Sequence, residues 1–560
     1  NETGHSFASF ILGAAASTNR NVVASFFGHR SSTPAFYFGD DWKVTRKLTL
    51  NLGLRWEIFG PLYEVAGRMS GLDPNAPNPG AAGRPGALVF VSDQGRKTFQ
   101  DWYFKMLNPR LGFAYNLIED RVVIRGGYGI NNTPNISNGF GFPGTNGYNG
   151  SISLTSANTP LQFPQDPVFY LDTPYPTFSS TLPNKNPALQ NGQGINYIAP
   201  DSIRPPYTQN WNFGFQLALP MKLALDTSYI GNKGTRLGWH GVDRYQQLPV
   251  PLWSQYGDKL IEPLSANPGL VPLPYAGFNG TVGQALRRFP QYTGVSEAWP
   301  NFGNSNYHSF QVTLTRHFSN GLAFLGAYTW SKSISTVDDA LDGNGAQDIY
   351  NPGLERSVTS FNVPHFFKGT WIYELPWGPG KPLNLQGWTG KLLGGWTMSG
   401  IHQYRSGDPL SIGTSNVDNG RVFSSTIRPD LVGNVPVVLN SSANVFVGAT
   451  TQIPGQLYLN PAAFTQVPTT KQGIPLRPGT APRYLPNVRG PIRVSEDFSF
   501  AKKFLFTERS NVEIRADFIN AFNRAGRGNP NTNITSPQFG LITGSAYGPR
   551  NIQLGARISF

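Results

Sequence analysis

The sequence predicts an all-β chain folded as an antiparallel, up-and-down transmembrane β-barrel with long outer loops, here about 13–14 strands of a probable 22 or so. Three observations predict it. Period-two alternation is sustained over unusual lengths, the composition is rich in Gly, Pro and aromatics but poor in charge, and short and long connections alternate along the chain.

The alternation is clearest where Leu48, Leu50, Leu52, Leu54, Trp56 and Ile58 interleave with Thr49, Asn51, Gly53, Arg55 and Glu57. Successive strand side chains point to opposite faces, so one face is apolar and the other polar or small. The pattern returns as Trp211, Phe213, Phe215, Leu217 and Leu219 against Asn210, Asn212, Gly214, Gln216 and Ala218. It recurs as Val512, Ile514, Ala516 and Phe518 against Asn511, Glu513, Arg515 and Asp517. A soluble sandwich also alternates, but its strands usually stop at about 5–6 residues, whereas a tilted strand needs about 9–11 to cross a bilayer. Lipid is expected at Leu50, Leu52, Leu54, Phe213, Phe215 and Ile514, and the lumen at Asn51, Arg55, Gln216, Glu513 and Arg515.

Composition narrows the alternatives. Charged residues make up 14% and aromatics 13% of the 560 residues, with 63 Gly and 47 Pro. Gly and Pro are the strongest helix breakers, and so many aromatics argue against disorder. The net charge of +13 raises nucleic-acid binding, but Lys and Arg are scattered, the densest groups being Arg287-Arg288 and Lys502-Lys503. A nucleic-acid footprint needs them gathered on one face, so no nucleic acid is expected as a partner. With no cysteine, disulfides, thiolate metal sites and a cysteine nucleophile are excluded. A mean hydropathy of −0.29 is no objection, because only alternate residues meet lipid. No apolar run approaches the roughly 20 residues of a membrane helix. The stretch Phe7 to Ala16 is too short and lacks a basic flank, so it does not read as a signal peptide.

The connections supply the third observation. Tight turns are expected near Thr45-Arg46, Glu119-Asp120, Pro220, Ser319-Asn320 and Thr507-Glu508. Between the hairpins lie Gly/Pro/Asn-rich stretches, Gly60 to Met106, Asn131 to Pro205, Lys233 to Gly303, Ile334 to Thr359 and Gly407 to Gly490. Structureless loops of that length are uncommon in compact soluble domains, while outer-membrane barrels pair short periplasmic turns with long outer loops. The first clear strand, Phe36 to Val44, and the last, Asn551 to Phe560, both run toward the short-turn side. Residues 1–32 are therefore expected to be a truncated upstream loop or strand, and 33–560 the C-terminal part of a barrel. Ile552, Leu554, Ile558 and Phe560 read as an assembly signal, an alternating last strand closed by an aromatic residue.

Chemistry is sparse. Gly139 to Gly144 fits G-x-G-x-x-G, but no helix pattern follows it, as a nucleotide site would require. Asp338, Asp339, Asp342 and Asp348 gather carboxylates among glycines and are weak calcium candidates, without EF-hand spacing; a solvated acidic loop is the plainer reading. The histidines show no metal spacing, and His317 falls on the polar face beside Thr313 and Thr315. No nucleophile elbow or H-E-x-x-H pair is present, so no catalytic residue, enzyme activity or cofactor is expected.

Several stretches carry a resemblance. Gly39-Asp40-Asp41-Trp42-Lys43-Val44-Thr45 with Leu48 to Trp56, Asn108 to Tyr115, Tyr328-Thr329-Trp330-Ser331-Lys332-Ser333-Ile334, Leu457 to Phe464, and Arg515 to Asn523 resemble successive motifs of the Oar-like TonB-dependent receptors. The likeness covers about Ser6 to Phe560. The sequence departs from it at Phe361 to Phe366, where the family's arginine pair is absent. The resemblance implies an outer-membrane receptor that binds an extracellular ligand and passes it across the membrane. It also implies partners: outer-membrane lipid, the barrel assembly machinery, and the TonB complex through a plug and TonB box expected upstream. The ligand is not specified. A surface adhesin or passive pore is the second expectation, and a soluble β-rich binding protein the third.

Overall fold

The computed structural model describes residues 6–23, 26–119, 121–133, 144–155, 166–175, 181–239, 243–338, 345–415, 417–422, 424, 426–506 and 510–560. Their dominant element is one antiparallel sheet. Its strands in chain order are β1 (Ala35–Lys43), β2 (Leu48–Phe59), β3 (Tyr103–Ile118), β4 (Val122–Asn132), β5 (Tyr207–Leu219), β6 (Leu223–Leu237) and β7 (Gly303–Ser319). They continue as β8 (Leu322–Ser335), β9 (His365–Glu374), β10 (Trp396–Arg405), β11 (Arg493–Leu505), β12 (Asn511–Ile519) and β13 (Asn551–Ser559). Each pairs with its sequence neighbours, a meander from β1 to β13, and the two-residue strand Ser357–Val358 joins beside β8. Among the described residues β1 and β13 each have a partner strand on one side.

The register turns alternation into two continuous faces. Leu50, Leu52 and Leu54 stand opposite Phe113, Leu111 and Pro109. Further along, Phe213, Tyr229, Phe310 and Trp330 form one cross-strand row, and Ile514, Ala516 and Phe518 meet Ala556, Leu554 and Ile552. On the other face Asn51 meets Gly112, Arg125 meets Gly214, Gln216 meets Asp226 and Glu513 meets Arg557. Residues two apart share a face, so ion pairs form along it: Arg55 Nε lies 2.6 Å from Glu57 and Arg515 Nε 2.9 Å from Asp517. Arg125 also pairs with Asp226 across strands. The expected split of apolar and polar residues is the one observed.

The short connections 44–47, 220–222 and 320–321 are tight, with 119–121 and 506–510 at two of the remaining hairpins, where Asp120 and Thr507-Glu508 lie outside the described residues. Asn320 and Gly321 both have positive φ, 51° and 79°, which suits a two-residue hairpin between Ser319 and Leu322. The β9–β10 connection, 375–395, differs: it carries a helix, Gly387–Leu393.

Every clustered buried apolar residue lies in the long connections, none in β1–β13. The strands instead leave large apolar side chains exposed, Phe310 at 44% and Leu554 at 78%. Such a surface fits a sheet solvated by lipid. The segment ahead of β1 adds no strand to the main sheet among the described residues: Ser17–Val23 pairs with Asn149–Thr155, and His29–Arg30 with Tyr63–Glu64.

A charge on the lipid face of a barrel costs roughly 2–4 kcal/mol near mid-bilayer. Leu52→Arg should therefore lower barrel stability by about that much while Asn51→Arg changes it little, as read by urea titration of the folded protein in vesicles. Equal losses at the two positions would mean that the faces are reversed.

Candidate functional site

The polar face of the sheet ends, on the side of the long connections, beneath a packed cap. Three of these connections merge first. The hairpin Ser70–Asn78/Arg84–Phe90 from 60–102 packs Leu72, Leu88 and Phe90 against Ile195, Phe289 and Val295. Gly194–Ile198 and Gly294–Ala298 pair in parallel, joining 133–206 to 238–302. Tyr292 seals the junction: its hydroxyl donates to Gly86 O at 3.0 Å and accepts from Asn78 Nδ2 at 3.2 Å. Burial pushes that hydroxyl's pKa up to about 12, so it stays a donor.

Gln347 ties the remaining loops together. It is fully buried, and its Oε1 accepts from the backbone N–H of Arg428 (2.8 Å) and Gly479 (3.0 Å). Its carbonyl accepts from Gln247 Nε2 at 2.9 Å, and its own N–H donates to Glu355 at 3.0 Å. Glu355, also fully buried, receives Arg428 Nη1 at 2.6 Å. Residues from 238–302, 336–364 and 406–492 are thus joined at one point. Leu459, Phe464, Phe539 and Ile542 then pack 406–492 against 520–550.

Charge in the cap is held by specific contacts. Burial raises the carboxyl pKa of Asp243, opposed by the Val295 N–H and by Arg287, whose guanidinium burial pushes down to about 10. Burial likewise raises Glu297, although Arg244 sits 2.6 Å away. Glu64 is the opposite case. Burial would raise it, but Arg68 and the N–H groups of Gly28 and Ala66 outweigh burial and hold it at about 2.

At the cap–sheet junction a cavity of about 310 Å³ is lined by Gln403, Arg405, Asp408, Arg493, Ser495 and Tyr547. Gln403, Arg405, Arg493 and Ser495 belong to the polar face of β10 and β11. Asp408 lies 3.2 Å from Arg405 and 3.0 Å from Arg493, and accepts from Asn529 Nδ2 at 3.2 Å. Burial raises this carboxyl, but the arginines and Asn529 outweigh it, so its pKa falls below the ordinary range. Arg493 also donates to Arg527 O and, at 3.0 Å, to Asn529 Oδ1, but two guanidinium groups against one carboxylate leave a net positive charge that suits a carboxylate or phosphate on a ligand. A second cleft, about 500 Å³, opens beside the apolar face at Tyr229, His308, Phe310, Trp330 and Lys332. Two histidines on that face are paired: Tyr229 Oη lies 2.7 Å from His308 Nδ1, and Tyr328 Oη 2.7 Å from His365 Nδ1.

The residues singled out from sequence fall as follows. Asp338 lies 3.1 Å from Arg483 and accepts from the Ser360 N–H at 3.2 Å. Asp348 accepts from the Tyr350 N–H at 3.0 Å and is mostly buried. Asp339 and Asp342 lie outside the described residues, as do positions 139–143 of the glycine motif. Among the described residues no group of three His, Cys, Asp or Glu side chains is placed to hold a metal. Ile552, Leu554 and Ile558 stand on the apolar face of β13, and Phe560 is fully exposed beyond it. Sequence reading missed the Gln347–Glu355–Arg428 junction and the Arg405–Asp408–Arg493 cluster, whose partners lie far apart in the chain. The apolar residues within 238–302 and 406–492, Trp239, Trp253, Leu459 and Phe464 among them, were the available signal that these stretches fold.

A sheet with one lipid-facing side and one polar side, capped on the side of its long connections, defines a membrane β-barrel protein. The chain belongs to the outer membrane beta barrel domain family, whose model matches residues 1–553, and so to the bacterial outer membrane. No curated protein sequence matches it. Among solved structures it is similar to the ferripyoverdine receptor of the outer membrane of Pseudomonas aeruginosa, at 10% identity and TM-score 0.39 over 96% of this chain and 39% of that one. The ferric citrate transporter FecA matches at 10% identity and TM-score 0.37, over 95% of this chain and 46% of that one. The FrpB iron transporter of Neisseria meningitidis matches at 12% and 0.39, over 96% and 46%. The chain spans less than half the length of each.

Removing one partner of a buried ion pair strands the other charge and costs about 3–5 kcal/mol. Arg428→Met should therefore speed hydrogen exchange across 345–356 and 426–430, and adding Glu355→Gln should restore much of the protection. Unchanged exchange in the single variant would show that the pair does not hold the cap.

Proposed function

We propose that this chain is the barrel portion of an Oar-like TonB-dependent receptor that binds an extracellular ligand under its cap and passes it across the outer membrane. The observation that carries the reading is the cap itself: long connections from one side of the sheet fused by shared cores and buried hydrogen bonds over a polar, charged face. Binding residues concentrate on loops held by a rigid scaffold, and a packed cap over a polar interior is suited to selecting a solute. The motif likeness from Gly39 to Asn523 supports the subfamily and, with it, a plug, a TonB-binding segment and a full barrel of about 22 strands. Arg405 and Arg493 favour a ligand bearing an anionic group. On this reading the protein is a receptor rather than an enzyme, and the weak carboxylate set at Asp338 and Asp348 is structural. The family match sets aside the soluble alternative.

The test is uptake by whole cells of candidate anionic solutes that support growth through the full-length protein. Collapse of the proton gradient, or loss of TonB, should abolish uptake while surface binding persists. Uptake that survives both treatments favours the second reading, a passive pore, and binding without any uptake favours an adhesin. Arg493→Ala together with Arg405→Ala should weaken binding at least tenfold, because each charge-assisted hydrogen bond is worth about 1.5–3 kcal/mol.

The end of β13 carries a separate proposal, that Ile552, Leu554, Ile558 and Phe560 are read by the barrel assembly machinery. Deleting Phe560 from the full-length protein should lower outer-membrane levels and raise periplasmic degradation. Unchanged surface levels would remove that role.

A further inference from the structure

Among the connections on the short side of the sheet, 375–395 stands apart. Where the other five hairpins on this side, four within β1–β8 and the one between β11 and β12, turn within a few residues, this one builds the helix Gly387–Leu393 and folds it back against the strands. We propose that this segment is a membrane-interface anchor, resting in the headgroup region of the periplasmic leaflet.

Its placement is fixed by an unusual lysine. Lys502 occupies a position of the apolar face of β11, opposite Trp396 on β10 and Ile514 on β12 and two residues from Phe500 and Phe504. A bare ammonium in that row would meet lipid. Instead Lys502 is 3% exposed, and its Nζ donates to the carbonyls of Lys391 (2.9 Å), Leu392 (2.8 Å) and Gly394 (2.6 Å). Those carbonyls lie at the C-terminal end of the helix, where the last acceptors lack partners and a cation is favoured. Trp396 Nε1 donates to Leu392 O at 3.2 Å, and the Trp396 and Phe504 rings flank the ammonium at 5.4 and 4.8 Å. The helix is therefore held on the side of the sheet that faces lipid, at the end of short turns, which in outer-membrane barrels is the periplasmic end.

What the segment then shows outward is apolar. Trp388 is 75% exposed and Leu392 56%, four residues apart and so on one side of the helix. Leu393 and Leu383 are exposed beside them, and Lys391 is exposed at the same helix end. Tryptophan is enriched at the membrane–water boundary, where its ring is buried and its N–H stays wet. An apolar helix face with a flanking lysine suits a leaflet containing anionic phospholipid. Leu392 joins the apolar strip to the lipid-facing rows of β10 and β11, its carbonyl held by Trp396 and Lys502 of those rows, and this attachment identifies the occupant as lipid rather than a periplasmic protein.

The absence of cysteine from these residues allows a site-specific probe. Trp388→Cys and Leu392→Cys, each labelled with an environment-sensitive fluorophore, are compared with Lys47→Cys in a tight turn. The full-length protein is refolded into vesicles of phosphatidylethanolamine and phosphatidylglycerol, and folding is verified by heat-shifted gel migration. Labels at 388 and 392 should emit to the blue of the label at 47. They should lose emission to a phospholipid spin-labelled near its headgroup and resist aqueous iodide, with the label at 47 behaving oppositely. Because 388 and 392 share one side of the helix, either folded variant suffices. Iodide quenching at 388 and 392 equal to that at 47, without lipid quenching, overturns the proposal and makes the strip a free or protein-facing surface.

Discussion

Inside hydrocarbon a backbone N–H or C=O without a partner costs several kcal/mol, and no water is present to supply one. That constraint organises this molecule. It makes each strand from β2 to β12 take both neighbours, leaves the side chains to settle the two solvents, and produces the split between the Leu50–Leu52–Leu54 side of β2 and its Asn51–Gly53–Arg55 side. A one-residue slip would reverse every one of those side chains, so register and environment specify each other. Three polar side chains on the apolar face show how the demand can be met there. His308 and His365 are met by tyrosine hydroxyls, and Lys502 by three carbonyls.

Because the strands spend their apolar surface on lipid, they have none left to form an internal core, and the water-facing part of the chain must fold by other means. It does so as a soluble domain does, with clusters such as Leu459–Phe464–Phe539 and Leu248–Trp253–Ile474 and with buried polar junctions whose members are mutually satisfied. The Glu355–Arg428 pair is hydrogen-bonded further through Gln347 and the Ala481 carbonyl. A buried pair of this kind adds specificity of arrangement more than net stability, since its desolvation offsets much of its attraction. Its effect here is to define which loops meet.

How much was legible follows from range. Alternation is local, so the strands, their faces and the hairpin ends at Pro220 and Asn320 could be read from neighbouring residues. The long stretches looked structureless because their Gly, Pro and Asn content signals turns, while the partners of their apolar residues are remote: Tyr292 meets Asn78 and Gly86, and Gln347 meets Gly479. The same holds for the 375–395 connection. Gly387, Gly390, Gly394 and Gly395 hide a helix whose terminal carbonyls are met by Lys502, more than a hundred residues later. The connection 520–550 was likewise unmarked, although Phe539 and Ile542 complete a core with Leu459. The Arg405–Asp408–Arg493 cluster needed the register of β10 and β11 before its two arginines could be placed side by side.

Fusion of the loops changes what a loop can do. A single flexible loop can open alone, but 406–492 shares one core with 520–550 and another with 238–302, and shares Gln347 and Arg428 with 336–364. Moving it outward would break all of these at once. The cavity at Arg405, Asp408 and Arg493 lies where this cap meets the polar face, and Asp408 is contacted from β10, β11 and the 520–550 connection through Arg405, Arg493 and Asn529. A ligand anion at this junction would compete with Asp408 for Arg405 and Arg493 without disturbing the apolar cores above, while Arg493 also reaches 520–550 directly through Arg527 O and Asn529 Oδ1. On the receptor reading proposed above, the junction rather than the packed cap is therefore where a bound anion would touch strand and loop residues together.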